Sequence, residues 1–374
     1  MFLEEGKKLG FGCLRLPHID PDDPSDVDME QLCAMVDRFL AAGFRYFDTA
    51  YSYLDYKSES FMRQALVERH PRESFWLTTK MPCLEMKEDS NPLQYFEEQL
   101  MKCGVDYFDC YLLHGLNART YALAQKLGCF QLLQELKGQG RIRATGFSFH
   151  DSATVLDQIL REHPEVDVVQ IQLNYLDWDH AVIQSRLCHD VCVRHGKPII
   201  VMEPVKGGTL AAVPVQAQQM MERHAPGHSP ASWAIRFAAS QPGVAMVLSG
   251  MSNLEQVEDN ISYMKDFQPL DEQEEQILRQ CAAILRQEVS IPCTGCSYCT
   301  SGCPQGIPIP RYFSLYNQHR QDGWQAEAKA RYAALAENHG KASQCIGCGQ
   351  CESKCPQKLP IIRHLAQVAQ TLEA

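Results

Sequence analysis

The sequence predicts an α/β protein in which a closed (β/α)8 barrel is followed by a small, mainly helical, cysteine-rich domain. Eight short apolar runs alternate with amphipathic stretches up to about residue 265. No GxGxxG motif opens the first helical stretch, which disfavours an open doubly wound sheet. The composition changes near residue 288, and Cys, Gly and Pro are frequent beyond it. We therefore expect a barrel over residues 1–288 and a second domain over residues 289–374.

The eight apolar runs have the length of buried parallel strands and carry apolar residues on both faces. In order they read KLGFGCL, FRYFDT, FWLTTK, YFDCYLLH, ATGFS, VVQIQLN, PIIVMEP and VAMVLSG. The segments between them have helical periodicity, and MEQLCAMVDRFLAAG ends in Gly43, as helices commonly do. Strict β/α alternation predicts a parallel sheet, and eight units in about 250 residues predict a closed TIM barrel.

A longer helix is expected after the last strand. In DEQEEQILRQCAAILRQ, Asp271 and Glu274 have the spacing of a capping box. One face of this helix carries Ile277, Cys281 and Ile284. Farther on, PIPRYFSLYN and WQAEAKARYAALAEN have the character of helices within the 40 residues between the two cysteine motifs. The second domain should therefore be mainly helical.

The bulk composition limits the partners and the compartment. The 374 residues carry a formal net charge of −11, which disfavours nucleic acid and anionic lipid as partners. The N-terminal MFLEEGKKLGFG lacks the apolar stretch of a secretory signal, and no apolar run approaches the ~18 residues of a membrane span. We therefore expect a cytoplasmic protein with no nucleic-acid or membrane partner. In such a protein 17 cysteines indicate metal or redox chemistry rather than disulfides.

Two segments of the second domain share the spacing C-x2-C-x2-C-x3-C-P. They comprise Cys293, Cys296, Cys299 and Cys303, followed by Pro304, and Cys345, Cys348, Cys351 and Cys355, followed by Pro356. Three thiolates of such a run bind one [4Fe–4S] cluster, and the fourth ligates the other cluster in two-cluster ferredoxins. By this rule one cluster takes Cys293, Cys296, Cys299 and Cys355, and the other takes Cys303, Cys345, Cys348 and Cys351. Zinc is the alternative, but zinc sites use pairs of C-x2-C and have no role for the other cysteines. The domain resembles the α-helical dicluster ferredoxins that transfer electrons within larger redox enzymes.

Four polar side chains lie at or just after the ends of consecutive predicted strands. Asp48 ends the second strand, Tyr53 follows it in DTAYSY, Lys80 ends the third and His114 ends the fourth. Active sites of (β/α)8 barrels form at these strand ends. Reduction of a carbonyl by hydride leaves an alkoxide that needs a proton. A Tyr can donate the proton when a nearby Lys lowers its pKa, a carboxylate can hold the Lys, and a His can orient the carbonyl oxygen. Each residue alone is explained by packing or solvation, whereas the combination favours catalysis.

Residues 1–265 resemble the aldo-keto reductase family in these four positions. GFGCLRLP, FDTAYSY and CTGCSYCTSGCP are similar to its bacterial and archaeal branch with a C-terminal dicluster domain. The resemblance implies that Tyr53 is the general acid, that Lys80 tunes it, that Asp48 holds Lys80 and that His114 binds the substrate oxygen.

The resemblance also implies a nicotinamide cofactor, NAD(H) or NADP(H). The implied contacts are Gly12 and Cys13 after the first strand, Ser148, Gln170, Met202, and the residues Ser249, Gly250, Ser252, Gln256 and Asn260 of SGMSNLEQVEDN. Met202 stands where many members have a Tyr, and Phe149 stands where they have an Asn. Gly250 and Gln256 stand where NADPH-specific members have Lys and Arg. Without those cations a 2′-phosphate has little to pair with, so NADH is expected to bind at least as well as NADPH.

The leading hypothesis is an oxidoreductase that interconverts a small carbonyl compound and an alcohol with NAD(P)H. The two [4Fe–4S] clusters would serve electron exchange or structural support. A cluster moves one electron and a nicotinamide moves a hydride, and a flavin normally connects the two; no flavin motif is visible, and the sequence leaves a flavin open. One alternative is a ferredoxin-coupled reductase, with a ferredoxin or another electron-transfer protein as partner and clusters that feed the barrel. Another is a non-catalytic redox sensor or electron-transfer subunit.

Overall fold

Eight parallel strands close into a barrel in chain order, and β8 pairs with β1. The computed structural model describes residues 7–20, 23, 26–322 and 325–373. The strands are β1 (Leu9–Gly12), β2 (Tyr46–Asp48), β3 (Trp76–Met81), β4 (Phe108–Leu116), β5 (Ile142–Phe149), β6 (Val168–Gln172), β7 (Ile199–Met202) and β8 (Val244–Ser249). Each of the eight predicted apolar runs overlaps one strand, and β3, β4 and β5 extend beyond their runs, so the predicted (β/α)8 barrel is confirmed.

Helices connect the strands. They are α1 (Met29–Ala41), α2 (Ser58–Met62), α3 (Pro92–Cys103), α4 (Ala118–Lys126), α5 (Cys129–Gly138), α6 (Ala153–Glu162), α7 (Ser185–Arg194), α8 (Val215–His224), α9 (Pro230–Ser240) and α10 (Leu254–Met264). The Asp28 side chain caps α1 by accepting a hydrogen bond from Gln31 N at 2.9 Å. Gly43 follows α1 at a φ of 84°, which is the left-handed conformation that glycine adopts at helix ends.

Side chains fill the inside of the barrel. This interior cluster consists of Tyr46, Trp76, Cys110, Leu112, Ala144, Val168, Ile200, Met246 and Leu248. Gly146 on β5 permits close strand packing, because a Cβ at this position would lie 2.2 Å from the Val168 carbonyl oxygen. The strand register places Gly12 beside Asp48 and Ser148 beside Gln170. Polar side chains from separate strands therefore meet at the carboxyl end of the barrel.

Helix α11 (Glu272–Glu288) carries the predicted capping box. Glu274 N donates to Asp271 Oδ1 at 2.8 Å, and Asp271 N donates to Glu274 Oε2 at 3.0 Å. The fully buried residues of its later turns are Leu278, Cys281, Ala282 and Leu285, whereas the predicted stripe residues Ile277 and Ile284 are half-buried. The buried face is thus rotated by about one residue from the predicted stripe.

The C-terminal region is helical and has its own core. Its helices are α12 (Ile309–Asp322), α13 (Gln325–Asn338), α14 (Gln350–Lys354) and α15 (Ile361–Leu372). Tyr312, Phe313, Leu365 and Val368 are fully buried within it. Trp324, which begins the second predicted helical stretch, lies outside the described residues. A helical domain after the barrel is as the sequence predicts.

The chain forms two compact units that are not consecutive in sequence. The first runs to Val205 and includes His228–Glu275, and the second comprises Lys206–Gly227 and the chain from Gln276 onward. Within the second unit, Gly207 has a φ of 64°, and a Cβ there would lie 2.3 Å from the Thr294 carbonyl oxygen. Only glycine fits this approach to the first cysteine motif. Over the ranges described, no helix combines the length and the apolar character needed to cross a membrane.

Candidate active site and cluster cavities

The Lys80 ammonium is the centre of the polar group at the carboxyl end of the barrel. It is completely buried and donates to Asp48 Oδ1 at 2.5 Å, to the Thr49 carbonyl oxygen at 2.8 Å and to Tyr53 Oη at 3.3 Å. These three acceptors match the three N–H groups of a lysine. Strands β2 and β3 thus bring together three of the four predicted residues around one cation.

Asp48 has a second partner that the sequence did not reveal. Gln170 on β6 donates to Asp48 Oδ2 at 3.1 Å, and both side chains are buried. Burial raises the pKa of Asp48, while the charge and hydrogen bond of Lys80 and the amide of Gln170 oppose that rise. The carboxylate therefore depends on two neighbours in a dry site.

His114 completes the tetrad formed with Asp48, Tyr53 and Lys80. Its ring meets the Tyr53 ring edge to face, with centroids 5.7 Å apart. Burial, the Lys80 charge and His150 together hold the pKa of His114 well below its usual value. The imidazole is therefore neutral at neutral pH, and it can donate a hydrogen bond without carrying charge.

The backbone turns left-handed immediately after Tyr53. Leu54, Asp55 and Tyr56 have φ values of 51°, 49° and 68°. This conformation costs a non-glycine residue roughly 1–2 kcal/mol. The turn is closed by a hydrogen bond from Ser58 N to the Tyr53 carbonyl oxygen at 3.3 Å. The segment that carries the phenol is therefore strained.

Of the residues implied for nicotinamide binding, Ser148 and Met202 lie near the ends of β5 and β7, and Gln170 lies within β6. Ser148 Oγ accepts a hydrogen bond from Gly115 N at 2.8 Å, and Ser148 is the register partner of Gln170. Met202 is half-buried at the end of β7. A hydroxyl and an amide side by side on β5 and β6 offer the donor and acceptor chemistry of a carboxamide site.

Gly12 is the last residue of β1, and Cys13 follows it at the same end of the barrel. A Cβ on Gly12 would lie 3.2 Å from the Ser249 carbonyl oxygen, so β1 and β8 approach closely there. Cys13 N donates to the Asp48 carbonyl oxygen at 2.8 Å. The Cys13 side chain is fully buried, and burial raises the pKa of its thiol. Cys13 is therefore placed as a packing group.

The β8–α10 segment is held by its own side chains. Ser249 Oγ accepts a hydrogen bond from Asn260 Nδ2 at 2.6 Å, and Gln256 Oε1 accepts one from Ser252 N at 2.8 Å. The Gln256 amide is thereby turned back onto the loop. The N-terminus of α10 is capped by Asn253, which accepts from Gln256 N at 2.8 Å.

Arg15 is a residue of this region that the sequence reasoning missed. Its Cβ, Cγ and Cδ pass 3.1–3.3 Å from the point where a Cβ on Gly250 would lie. Ser252 Oγ also donates to the Arg15 carbonyl oxygen at 3.3 Å. An arginine from the β1–α1 connection thus occupies the space that a side chain at position 250 would need. The sequence shows this residue as the Arg of GFGCLRLP, but no local sequence pattern links it to residue 250.

The eight motif cysteines line two separate cavities in the second unit. The first cavity is lined by Cys293, Cys296, Cys299 and Cys355, and the second cavity by Cys303, Cys345, Cys348 and Cys351. Each contains about 320 Å³ of empty space, open solvent included. In both cavities the fourth cysteine comes from the other motif. The structure therefore groups the cysteines in the two sets that the spacing predicts.

The thiols that line the first cavity lie near enough to influence one another. Burial raises the pKa of Cys299, and the nearby thiols of Cys296, Cys293 and Cys355 raise it further. Burial also raises the pKa of Cys351 to about 11. In the part of the chain that the structure describes, no three His, Cys, Asp or Glu side chains are close enough together to hold a single metal ion. Four soft thiol donors around an open volume suit a metal–sulfur cluster, whose binding would displace the thiol protons.

Comparison with protein families agrees with both parts of this geometry. The model of the Aldo/keto reductase family matches residues 8–283. The chain belongs to the aldo/keto reductase family. A second model, the 4Fe-4S dicluster domain, matches residues 292–359 and so contains all eight motif cysteines. The chain is therefore an aldo-keto reductase with a C-terminal dicluster domain, as the sequence motifs indicate.

Individual relatives are similar over the barrel. An aldo-keto reductase of Mycolicibacterium smegmatis is 30% identical over 200 residues, which cover 53% of this chain and 66% of that protein. The methylglyoxal reductase DkgA of Escherichia coli is 28% identical over 166 residues, or 43% of this chain and 53% of that protein. A Klebsiella pneumoniae aldo/keto reductase in complex with NADP and acetate superimposes with a TM-score of 0.59 at 19% identity, covering 73% of this chain and 90% of that one. The last likeness shows the shared fold.

Proposed function

We propose that this chain interconverts a small carbonyl compound and an alcohol in the barrel, with NAD(P)H as hydride donor. The arrangement around Lys80 supports this proposal most strongly, because one buried ammonium contacts both the Asp48 carboxylate and the Tyr53 phenol. The neighbouring relatives support it further, since one is a methylglyoxal reductase and another is a structure with bound NADP. Methylglyoxal is therefore the first substrate to test.

In this proposal NAD(P)H supplies the hydride, and the tetrad handles the substrate oxygen and its proton. Tyr53 donates a proton from Oη to the oxygen that becomes the alcohol. The Lys80 ammonium, 3.3 Å away, favours the phenolate that remains. Asp48 fixes the position of Lys80, and neutral His114 orients the carbonyl oxygen by a hydrogen bond. Burial of these groups excludes water, which strengthens each electrostatic contact.

The strand ends of the barrel fit a nicotinamide cofactor. Ser148 and Gln170 would hold the carboxamide, Met202 would pack on the ring through its thioether, and Gly12 and Cys13 would line the same region. Ser249, Gly250, Ser252, Gln256 and Asn260 would bind the nucleotide end near the start of α10. The register pairing of Ser148 with Gln170 is the observation that supports this assignment.

The decisive experiment compares two phenols that are two residues apart in the sequence. Tyr53→Phe should lower kcat/KM for carbonyl reduction by about 10²–10⁴-fold, which is the usual contribution of general acid catalysis. Tyr51→Phe is the matched control, because Tyr51 donates to Glu98 at 3.1 Å and is not part of the tetrad. Turnover by Tyr53→Phe equal to that of Tyr51→Phe would remove Tyr53 from the proposed role.

The cysteine cavities favour a second candidate function, a reductase coupled to a ferredoxin. The eight thiols suit two clusters, and Cys348 of the second cavity is exposed to solvent. A cluster within reach of the surface can exchange single electrons with another protein. Extraction of cofactors after anaerobic purification distinguishes the candidates: nicotinamide supports hydride transfer alone, whereas flavin together with iron supports electron supply through the clusters.

A further inference from the structure

The two cysteine cavities differ in how far they reach the solvent. None of the four cysteines that line the first cavity is exposed, although Gly295 and Ser297 beside them are. At the second cavity Cys348 and its neighbour Gly347 are exposed, and Ile346 is 63% exposed. Ile346 is the only large hydrophobic residue that is exposed among the described residues from 289 to 373. An exposed apolar side chain beside a metal-cluster loop is a candidate contact for a partner.

Basic residues flank the residues that line the second cavity. Lys341 precedes it and is exposed, Arg363 follows Ile362 of the cavity lining and is exposed, and Lys354 is half-buried. Lys354 Nζ lies 3.2 Å from the point where a Cβ on Gly302 would be, next to Cys303 in sequence. Residues 289–374 contain eight Lys and Arg against five Asp and Glu, although the whole chain has a net charge of −11. The cysteine-rich region is therefore basic on an acidic chain.

Two of the five acidic residues of this region, Glu352 and Glu373, accept hydrogen bonds, and a third, Glu327, pairs with Arg331. Glu352 Oε1 accepts from Ile362 N at 2.9 Å. Glu373 Oε1 accepts from Ser343 N at 3.0 Å and from Tyr332 Oη at 2.5 Å, and it lies close enough to Lys341 to interact with its charge. Glu373 thus offsets part of the charge of Lys341. The region still keeps its excess of positive charge, with eight Lys and Arg against five Asp and Glu.

We propose that a docking surface formed by Lys341, Ile346, Cys348, Lys354 and Arg363 receives an acidic one-electron carrier protein. The proposal rests on the cluster part of the proposed function. One electron leaves the reduced centre of the carrier and enters the cluster held by Cys303, Cys345, Cys348 and Cys351. The carrier is oxidised by one electron and the cluster is reduced by one, and no bond or proton is transferred. The cluster of the second cavity is therefore the one that exchanges electrons with the carrier.

An electron carrier fits this surface better than a permanent subunit does. A single exposed isoleucine provides a small apolar centre, whereas obligate interfaces are large and strongly apolar. Electron-transfer partners meet through small interfaces, and opposite charges steer their encounter. Such steering acts over about 8 Å at physiological ionic strength. The local cations therefore matter more than the net charge summed over the whole chain.

The test measures how fast an acidic ferredoxin, reduced beforehand, reduces the clusters of the anaerobically purified holoprotein. The double variant Lys341→Gln/Arg363→Gln should lower the second-order rate constant at least tenfold at low salt, and the difference from wild type should vanish at high salt. Ile346→Ser should also slow the reaction, whereas Ile19→Ser, at a barrel residue that is 69% exposed, should not. Lys87→Gln, at an exposed barrel lysine, is the control for the charge change.

Three results would overturn the proposal. The first is an unchanged rate constant in both docking-surface variants. The second is an equal loss in the barrel controls. The third is that the variants also slow cluster reduction, by an equal factor, when a neutral small reductant, photoreduced deazariboflavin, replaces the ferredoxin. The substituted residues would then affect the cluster itself rather than the docking of the carrier. The assay follows cluster absorbance, so a failure of carbonyl reduction in the barrel leaves it interpretable and the two failures can be told apart.

Discussion

Replacement of Lys80 by methionine tests the buried ion pair at the centre of the tetrad. The substitution keeps most of the side-chain volume and removes the cation that contacts Asp48 at 2.5 Å. Asp48 would then be a buried carboxylate whose remaining side-chain donor is Gln170 at 3.1 Å. Breaking one partner of a buried ion pair costs about 3–5 kcal/mol of unfolding free energy. Since 1 kcal/mol corresponds to about 2–4 °C in a domain of this size, Lys80→Met should lower the Tm of the barrel by roughly 6–20 °C.

A double variant separates the stability effect from the catalytic effect. Asp48→Asn/Lys80→Met removes both charges, and replacement of both partners of a buried pair is often neutral for stability. The double variant should therefore regain most of the lost Tm but none of the carbonyl reduction. The two losses have different causes: unfolding responds to the uncompensated carboxylate, whereas turnover responds to the missing ammonium beside Tyr53.

The assay must follow the two compact units separately, because one transition cannot be assumed for such a chain. Tryptophan fluorescence reports mainly the barrel, because three of the four tryptophans, Trp76, Trp178 and Trp233, belong to the first unit. Cluster absorbance reports the cysteine-rich region. The reasoning would be refuted if Lys80→Met unfolded at the wild-type temperature, or if the double variant were no more stable than Lys80→Met alone.

Four further predictions follow from the geometry. Cys303→Ser should lose the cluster whose other ligands line the second cavity, leaving about half of the iron; loss of the first-cavity cluster, measured by iron content and electron paramagnetic resonance, would contradict the crossed grouping. Because burial lowers the pKa of His114, the folded state resists its protonation, so the stability of the protein should fall as pH drops below about 6.5. Between about pH 7.5 and about pH 5.5, the Tm of His114→Gln should therefore fall by less than the Tm of the wild type. NADH should bind at least as well as NADPH in calorimetric titrations, since Gly250 offers no cation to the 2′-phosphate. A tenfold preference for NADPH that disappears in Arg15→Leu would contradict this and show that Arg15 binds the 2′-phosphate. Asp55→Gly should raise the free energy of unfolding by about 1 kcal/mol in a denaturant titration, because glycine adopts the left-handed conformation of residue 55 without strain. A lower free energy of unfolding would show that the Asp55 side chain makes a stabilising contact.

The strands were predictable because both faces of each strand are buried, one against the helices and the other in the barrel interior. Each strand is therefore a short, continuous apolar run in the sequence. The tetrad was predictable for a related reason. Parallel strands all end on the same side, so polar residues at consecutive strand ends, such as Asp48 and Lys80, must be neighbours. The two cysteine sets followed from cluster geometry, because four ligands at that spacing cannot all reach one cluster.

Other features depend on contacts that no local pattern encodes. The hydrogen bond from Gln170 to Asp48 joins strands that are far apart in sequence, and the position of Arg15 against Gly250 joins the first and last barrel connections. The left-handed turn after Tyr53 contains Leu54, which sequence rules would not place at positive φ. Each of these is decided by long-range packing, which overrides local preference.

The second compact unit has a consequence for how this protein can be rearranged by recombination or engineering. Lys206–Gly227 lies between β7 and β8 in sequence, yet it groups with the chain from Gln276 onward. A cut near residue 288 therefore divides that unit instead of releasing it, since it separates Gly207 from Thr294 and leaves α8 behind. A graft of the cysteine-rich region onto another barrel would have to exchange the β7–β8 insert together with the tail. The insert Lys206–Gly227 and the tail should therefore be inherited together. Loss of the tail alone would leave the insert without its packing partner, and gain of the tail alone would leave the tail without the insert.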